Sequence, residues 1–297
     1  MKNFLSIEQC QAEEILGLVA STSKFKADRS YLGERLSGQT WALLFSKPST
    51  RTRVSFEVGL RELGAGVLFL SQSDIQLGRG EPIIDTARVL GRMVHGAVIR
   101  TFAQHDVEEF ARFSKIPTIN ALTDEEHPCQ IIADLFTALE SKSLEELRVC
   151  FVGDGDCNVS RSWVWAAEHL GFELRVAAPP QYTLSQAVSS KITSHKILFT
   201  DSPKEAAHGA DVLYTDVWVS MGKELEMQDR LSIFKPYQIN KALIQIAQPG
   251  ALVMHCLPAY RGKEITQDVF EEHAQTIFDQ AENRLHAQKA IVAALSE

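Results

Sequence analysis

Nothing in this sequence supplies a metal knuckle, a disulfide framework or a membrane anchor. Five cysteines, Cys10, Cys129, Cys150, Cys157 and Cys256, are scattered through 297 residues with no Cys-x-x-Cys pair. That spacing excludes a zinc ribbon and a cystine scaffold, and it points to reduced thiols in a cytoplasmic setting. No apolar run approaches the roughly 18 residues of a membrane span. The opening Met1–Glu8 turns polar at once and lacks the apolar stretch of a secretion signal. Positive charge is not in excess either: 30 Lys and Arg against 38 Asp and Glu leave a formal net charge of −8. Nucleic acid is therefore not an expected partner, because phosphate backbones are met by clustered cations. Repeats of fixed period and low-complexity tracts are also missing. No metal and no cofactor is expected.

What is present is an ordinary globular balance, 45% hydrophobic and 23% charged, in a chain about twice the usual length of one domain. Short apolar runs predict strands over Trp41–Phe45, Val67–Leu70, Gly96–Ile99, Arg148–Val152, Glu173–Ala177, Val212–Thr215 and Ala251–Met254. Helical periodicity predicts Thr52–Leu63, Ile84–Met93, Cys129–Glu140, Ser160–Leu170 and Glu282–Leu295. Strands alternating with helices imply α/β architecture: two doubly wound domains, each a mainly parallel sheet flanked by helices. The polar stretch Ser141–Leu147 suggests a hinge, which gives domains over 1–141 and 147–297. Ligands in such sheets bind beyond the carboxyl ends of strands.

The first strand runs into Ser46-Lys47-Pro48-Ser49-Thr50-Arg51-Thr52-Arg53, where a helix begins. A helix N-terminus exposes unpaired N–H groups and the positive end of the dipole, so it attracts anions. Ser and Thr are also ordinary caps, so a capped helix with a solvated basic turn is the competing reading. Arginines at that end are unfavourable without an anion, which favours a phosphate site. Farther on, Arg100 ends a strand, where a salt-bridge partner is the plainer reading. His127-Pro128-Cys129-Gln130 opens a helix, with Pro128 near its tolerated first position. His127 and Gln130, three apart, can project from one end of that helix. The stretch from Asp74 to Pro82 reads as a turn-rich connector. Gly153-Asp154-Gly155-Asp156-Cys157-Asn158 resembles a dinucleotide fingerprint, but the third glycine is missing and no acid closes the next strand. Asp216 can pair with an ammonium group and Ser220 can hydrogen-bond. Met221 can wall an aliphatic chain, and Cys256 reads as a small buried hydrophobe.

Taken together, these segments resemble the aspartate and ornithine carbamoyltransferases. The resemblance rests on Ser49-Thr50-Arg51-Thr52-Arg53, on His127–Gln130, on Asp216 through Ser220-Met221-Gly222, on His255-Cys256-Leu257-Pro258, and on Arg284 in the last helix. The Ser-Met-Gly and His-Cys-Leu-Pro versions are those of the ornithine branch. Where that branch has Asn-Asn this chain has Cys157-Asn158, and Tyr260 stands where the branch has His. The resemblance implies an active site in a cleft between the two domains. Ser49, Thr50, Arg51 and Thr52 would hold the phosphate of carbamoyl phosphate. Arg100, His127, Pro128, Cys129, Gln130, Cys256, Leu257 and Arg284 would surround its carbamoyl end. Asn158, Asp216, Ser220 and Met221 would bind ornithine. The catalytic set would be Arg100, His127, Thr52, Cys256 and Asp216. Gln76 would reach a neighbouring subunit's site, making a homotrimer with shared active sites. The activity implied is carbamoyl transfer to the δ-amine of L-ornithine in arginine metabolism, in the cytoplasm. Three alternatives stay open: putrescine or an acylated ornithine as acceptor, a regulatory subunit without activity, and a nicotinamide oxidoreductase.

Overall fold

The computed structural model of the protein describes residues 1–73, 81–219 and 226–296. Gln76, Ser220 and Met221 lie outside the described residues. The chain divides into two compact units, Met1–Phe136 with Glu282–Glu297, and Thr137–Ala281.

In the first unit α1 (Ala12–Ala27) precedes β1 (Thr40–Phe45), α2 (Thr50–Glu62), β2 (Gly66–Ser71), α3 (Ile83–Leu90), β3 (Gly96–Arg100), α4 (Gln104–Ser114) and β4 (Thr118–Leu122). The helix α5 (Pro128–Leu139) follows. The four strands pair in parallel in the order β2-β1-β3-β4. β1 and β3 are central and buried on both faces, so they read as unbroken apolar runs rather than alternating ones. Ala42, Leu44, Ala97 and Ile99 pack from one face against Ala87, Val107 and Phe110 of α3 and α4. Gly96 is required where it stands: a Cβ there would lie 2.6 Å from the Trp41 ring.

The second unit begins its sheet with β5 (Arg148–Val152), α6 (Asn158–Leu170), β6 (Glu173–Ala177), α7 (Gln186–Ser189) and β7 (Ile197–Thr200). Next come α8 (Pro203–Ala207), β8 (Val212–Thr215), α9 (Met227–Phe234), α10 (Lys241–Ile244), β9 (Leu252–His255) and α11 (Gln267–Glu272). Five parallel strands pair in the order β7-β6-β5-β8-β9. The order reverses beside β5, so the ends of β5 and β8 form a switch point where doubly wound sheets bind ligands. The long α12 (Ala274–Ala294) begins in this unit, and its portion from Glu282 belongs to the first. Among the described residues, no helix is long and apolar enough to cross a membrane.

The predicted α/β class with parallel sheets is what the structure has. Two strands were not foreseen, β4 and β7. In β4 a fully buried Asn120 interrupts the apolar pattern, and it is accommodated by donating to Leu5 O at 2.9 Å and Gln104 Oε1 at 3.0 Å. β7 is an edge strand whose Leu198 and Phe199 are exposed.

Candidate active site

In the first unit the interesting side chains sit at the carboxyl ends of β1, β3 and β4. Ser49 caps α2: its Oγ accepts from Thr52 N at 3.3 Å and donates to Thr52 Oγ1 at 3.0 Å. Thr52 is buried, and its Oγ1 also accepts from Arg284 Nη2 at 2.7 Å, which ties α12 to the first turn of α2. No acidic residue occupies that first turn. Arg51 is exposed and makes no ion pair with any described residue. Arg53 turns away, reaching Glu57 at 3.5 Å and covering the Phe69 ring at 3.6 Å. A cation at the positive end of a helix with no carboxylate beside it is an unbalanced arrangement that an anion would complete. Only one of the two arginines of the motif, Arg51, contributes to it.

Lys47 is buried, ion-paired with Asp124, and 4.3 Å from the Phe102 ring centroid. Arg100, Arg284 and His127 are buried as well. Burial, and then the nearby Arg284 and Arg100 guanidinium groups, hold the His127 imidazole well below its usual value. His127 is therefore neutral at pH 7, with one N–H to donate. Pro128 is the first residue of α5, where its missing N–H costs nothing. The Cys129 Sγ donates to Asn120 O at 3.2 Å, and burial pushes its thiol up. Gln130 is fully buried and donates its Nε2 to Asp134 Oδ1 at 2.8 Å.

The second unit gathers groups of the opposite character. After β5 the chain turns at Gly153 (φ 145°), and a Cβ on Gly155 would meet Ala178 and Tyr182 O at about 3 Å. Asp154, buried, accepts from Arg230 Nη1 at 2.7 Å. The same guanidinium donates to Trp218 O at 2.9 Å and Glu226 Oε2 at 2.8 Å, joining the β5 and β8 loops. Cys157 is buried and caps α6, its Sγ accepting from Ser160 N at 3.4 Å; Asn158 is the first residue of that helix. The exchange of the usual Asn for Cys157 thus keeps a cap in place.

Asp216 follows β8. Its Oδ1 accepts from Val217 N at 2.7 Å and from the Cys256 thiol at 2.9 Å. Asp216 is partly exposed as a residue, yet its carboxyl group is enclosed by protein, and that desolvation raises its pKa. His255 Nδ1 accepts from Leu257 N at 2.8 Å, so its proton lies on Nε2, which meets the buried Glu264 at 3.2 Å. Leu257 is held at φ 58°, which costs an L-residue roughly 1 kcal/mol, and the bond to Pro258 is cis.

Asp216, His255 and Cys256 each place one donor atom within 4.8 Å of the others, the geometry of a possible metal trio. Both ring nitrogens of His255 are already engaged, however, so ligation would break the hold on Leu257 or on Glu264.

The structure thus collects Ser49, Thr52, Arg100, His127, Gln130 and Arg284 in one unit, and Asp216, Cys256 and Leu257 in the other. Asp124, Asp134, Arg230 and Glu264 escaped the sequence reading. The legible signal would have been Gln130 and Asp134, four apart on an otherwise apolar helix.

Comparison with known proteins agrees over the full length. Residues 2–140 match the carbamoyl-P binding domain of the aspartate/ornithine carbamoyltransferases, and residues 145–295 match their Asp/Orn binding domain. An ornithine carbamoyltransferase of Akkermansia muciniphila is 58% identical over 100% of this chain and 99% of its own. The crystal structure of an anabolic ornithine carbamoyltransferase from Campylobacter jejuni superposes with a TM-score of 0.94 at 40% identity, covering 99% of each chain. That of Pyrococcus furiosus gives 0.90 at 42%, covering 98% of this chain and 96% of the other. The chain belongs to the aspartate/ornithine carbamoyltransferase family.

Proposed function

We propose that this enzyme transfers the carbamoyl group of carbamoyl phosphate to the δ-amine of L-ornithine, giving L-citrulline and phosphate. One observation carries the donor half: Arg51 stands at the N-terminus of α2 with no acidic residue in its first turn. A dianionic phosphate on Ser49, Thr50, Arg51 and Thr52 balances that charge. The carbonyl oxygen, which gains negative charge as the amine attacks, takes hydrogen bonds from Arg100, the neutral His127 and Thr52. The carbon–oxygen bond to phosphate then breaks, the phosphate leaves with that oxygen, and the nitrogen loses a proton. Arg284, bonded to Thr52, keeps a positive charge against the departing anion.

On the acceptor side, Asp216 and Cys256 are suited to a short-chain amine. The raised pKa of Asp216 reflects desolvation, which a cationic or N–H-donating partner offsets. A lysine-like amine has a pKa near ~10.4, so presenting it neutral at pH 7 costs about 4–5 kcal/mol. Desolvation of the amine in that enclosed site lowers its pKa and supplies part of that, while the Asp216 carboxylate and the Cys256 sulfur orient it. Asn158 and the segment with Ser220 and Met221 are assigned to ornithine by resemblance. So are Gln76 acting in a neighbouring subunit, the homotrimer, the cytoplasmic location and the place in arginine biosynthesis.

The test is product formation from carbamoyl phosphate with ornithine, putrescine and N-acetylornithine side by side. Citrulline forming fastest, by at least about tenfold in kcat/KM, supports the reading. Preference for either other amine, or no turnover with any, overturns it.

A further inference from the structure

Gln130 has an amide whose two ends can be exchanged by half a turn about its last bond. Which end faces outward decides what the site accepts. The side chain is fully buried, as is Asp134 one helical turn farther along α5. Nε2 donates to Asp134 Oδ1 at 2.8 Å. The other end, Oε1, is buried with no hydrogen-bond partner among the described residues. An ionised carboxylate is an acceptor only, so it cannot face Oε1 without two acceptors opposing each other. In its ionised form Asp134 thereby admits one orientation of the amide and rejects the other.

We propose that Asp134 is a specificity-determining positioning residue. By holding the Gln130 amide it leaves Oε1 as a fixed, desolvated acceptor, which selects a donor with an N–H over one with a methyl group. The inference rests on the carbamoyl-phosphate reading above and deepens it. Carbamoyl and acetyl phosphate have nearly the same shape and the same phosphate, and differ in NH₂ against CH₃. The amine fills the waiting acceptor. The methyl group leaves it buried and unmatched, a penalty equivalent to about 10–100-fold in affinity. Were Asp134 neutral in its hydrogen bonding, the Gln130 amide could turn its NH₂ outward, and this preference would fade.

The experiment is calorimetric titration of the full chain with carbamoyl phosphate and, separately, with acetyl phosphate. The wild-type protein binds carbamoyl phosphate about 10–100-fold more tightly. In D134N both amide orientations become permissible, and the preference falls towards that of Q130L, which has no acceptor. The affinity of D134N for acetyl phosphate stays within about threefold of wild type, and this also reports that the variant is folded. If D134N does not fold, D134S is read on the same scale. An unchanged preference in the Asp134 variant, or a parallel loss of both ligands, overturns the proposal; so does Q130L keeping the full preference. Wild-type protein that binds acetyl phosphate as tightly as carbamoyl phosphate refutes this inference alone. Failure to bind either ligand refutes the donor-site reading as well.

Discussion

The two units share one architecture and differ in charge. Beyond the strand ends of the first stand Arg51, Arg100 and a neutral His127, with Arg284 of α12 bonded to Thr52, in the first turn of a helix that has no acid there. At the strand ends of the second stand Asp154, Asp216 and Cys256, with Glu264 behind His255. The cation nearest those strand ends in the second unit, Arg230, is matched by Asp154 and Glu226 within hydrogen-bond distance. Related parallel α/β scaffolds can therefore be specialised for an anion or an amine by a handful of residues, because the sheet supplies only the platform and the dipoles. The difference also says which substrate each unit answers to.

Removing charge on the first side should produce the largest effect. R51Q is expected to lower kcat/KM for carbamoyl phosphate by at least about 100-fold, since charge-assisted bonds to phosphate are lost. The KM for ornithine should move little in steady-state assays at saturating donor. A shift confined to ornithine would invert the comparison. On the second side, D216N should lower kcat/KM for ornithine by about 30-fold while leaving carbamoyl-phosphate affinity alone. Equal losses for both substrates would show that Asp216 supports the fold rather than the amine.

The pH dependence sharpens the contrast. Turnover at limiting ornithine should climb by up to about tenfold per unit through the neutral range, because the attacking amine must be neutral. A flat profile from about pH 6 to 9 would exclude that step from control. The smallest effect concerns stability. His127 has a depressed pKa, so the unfolded chain takes up its proton first. Its contribution is complete above about 6.5 and declines as pH falls, by up to about 1.4 kcal/mol per unit. Urea unfolding of wild type against H127N should show curves that converge in acid. Curves that stay parallel from pH 7.5 to 5 would mean the imidazole is not buried neutral.

Much of this is legible in the sequence, for a physical reason. A strand followed by hydroxyls and arginines at a helix start is a local pattern, and local patterns survive in sequence. So are most strands, because the central ones are continuous apolar runs. What was hidden depends on distant partners. Asn120 breaks the pattern of β4 and is tolerated only because Leu5 and Gln104 meet it. The bond between Arg284 and Thr52 spans most of the chain. Arg53 looked equivalent to Arg51, and the difference came from Phe69 on the neighbouring strand. Asp134 is legible only through its spacing, four residues after Gln130 on one helix, which puts the two side chains on the same face.

The central claim is that the anion belongs to the first unit and the amine to the second. Calorimetric titration with carbamoyl phosphate, without ornithine, of wild type, R51Q and D216N tests it most directly. The account predicts equal, measurable binding by wild type and D216N and none by R51Q; binding retained in R51Q and lost in D216N would contradict it.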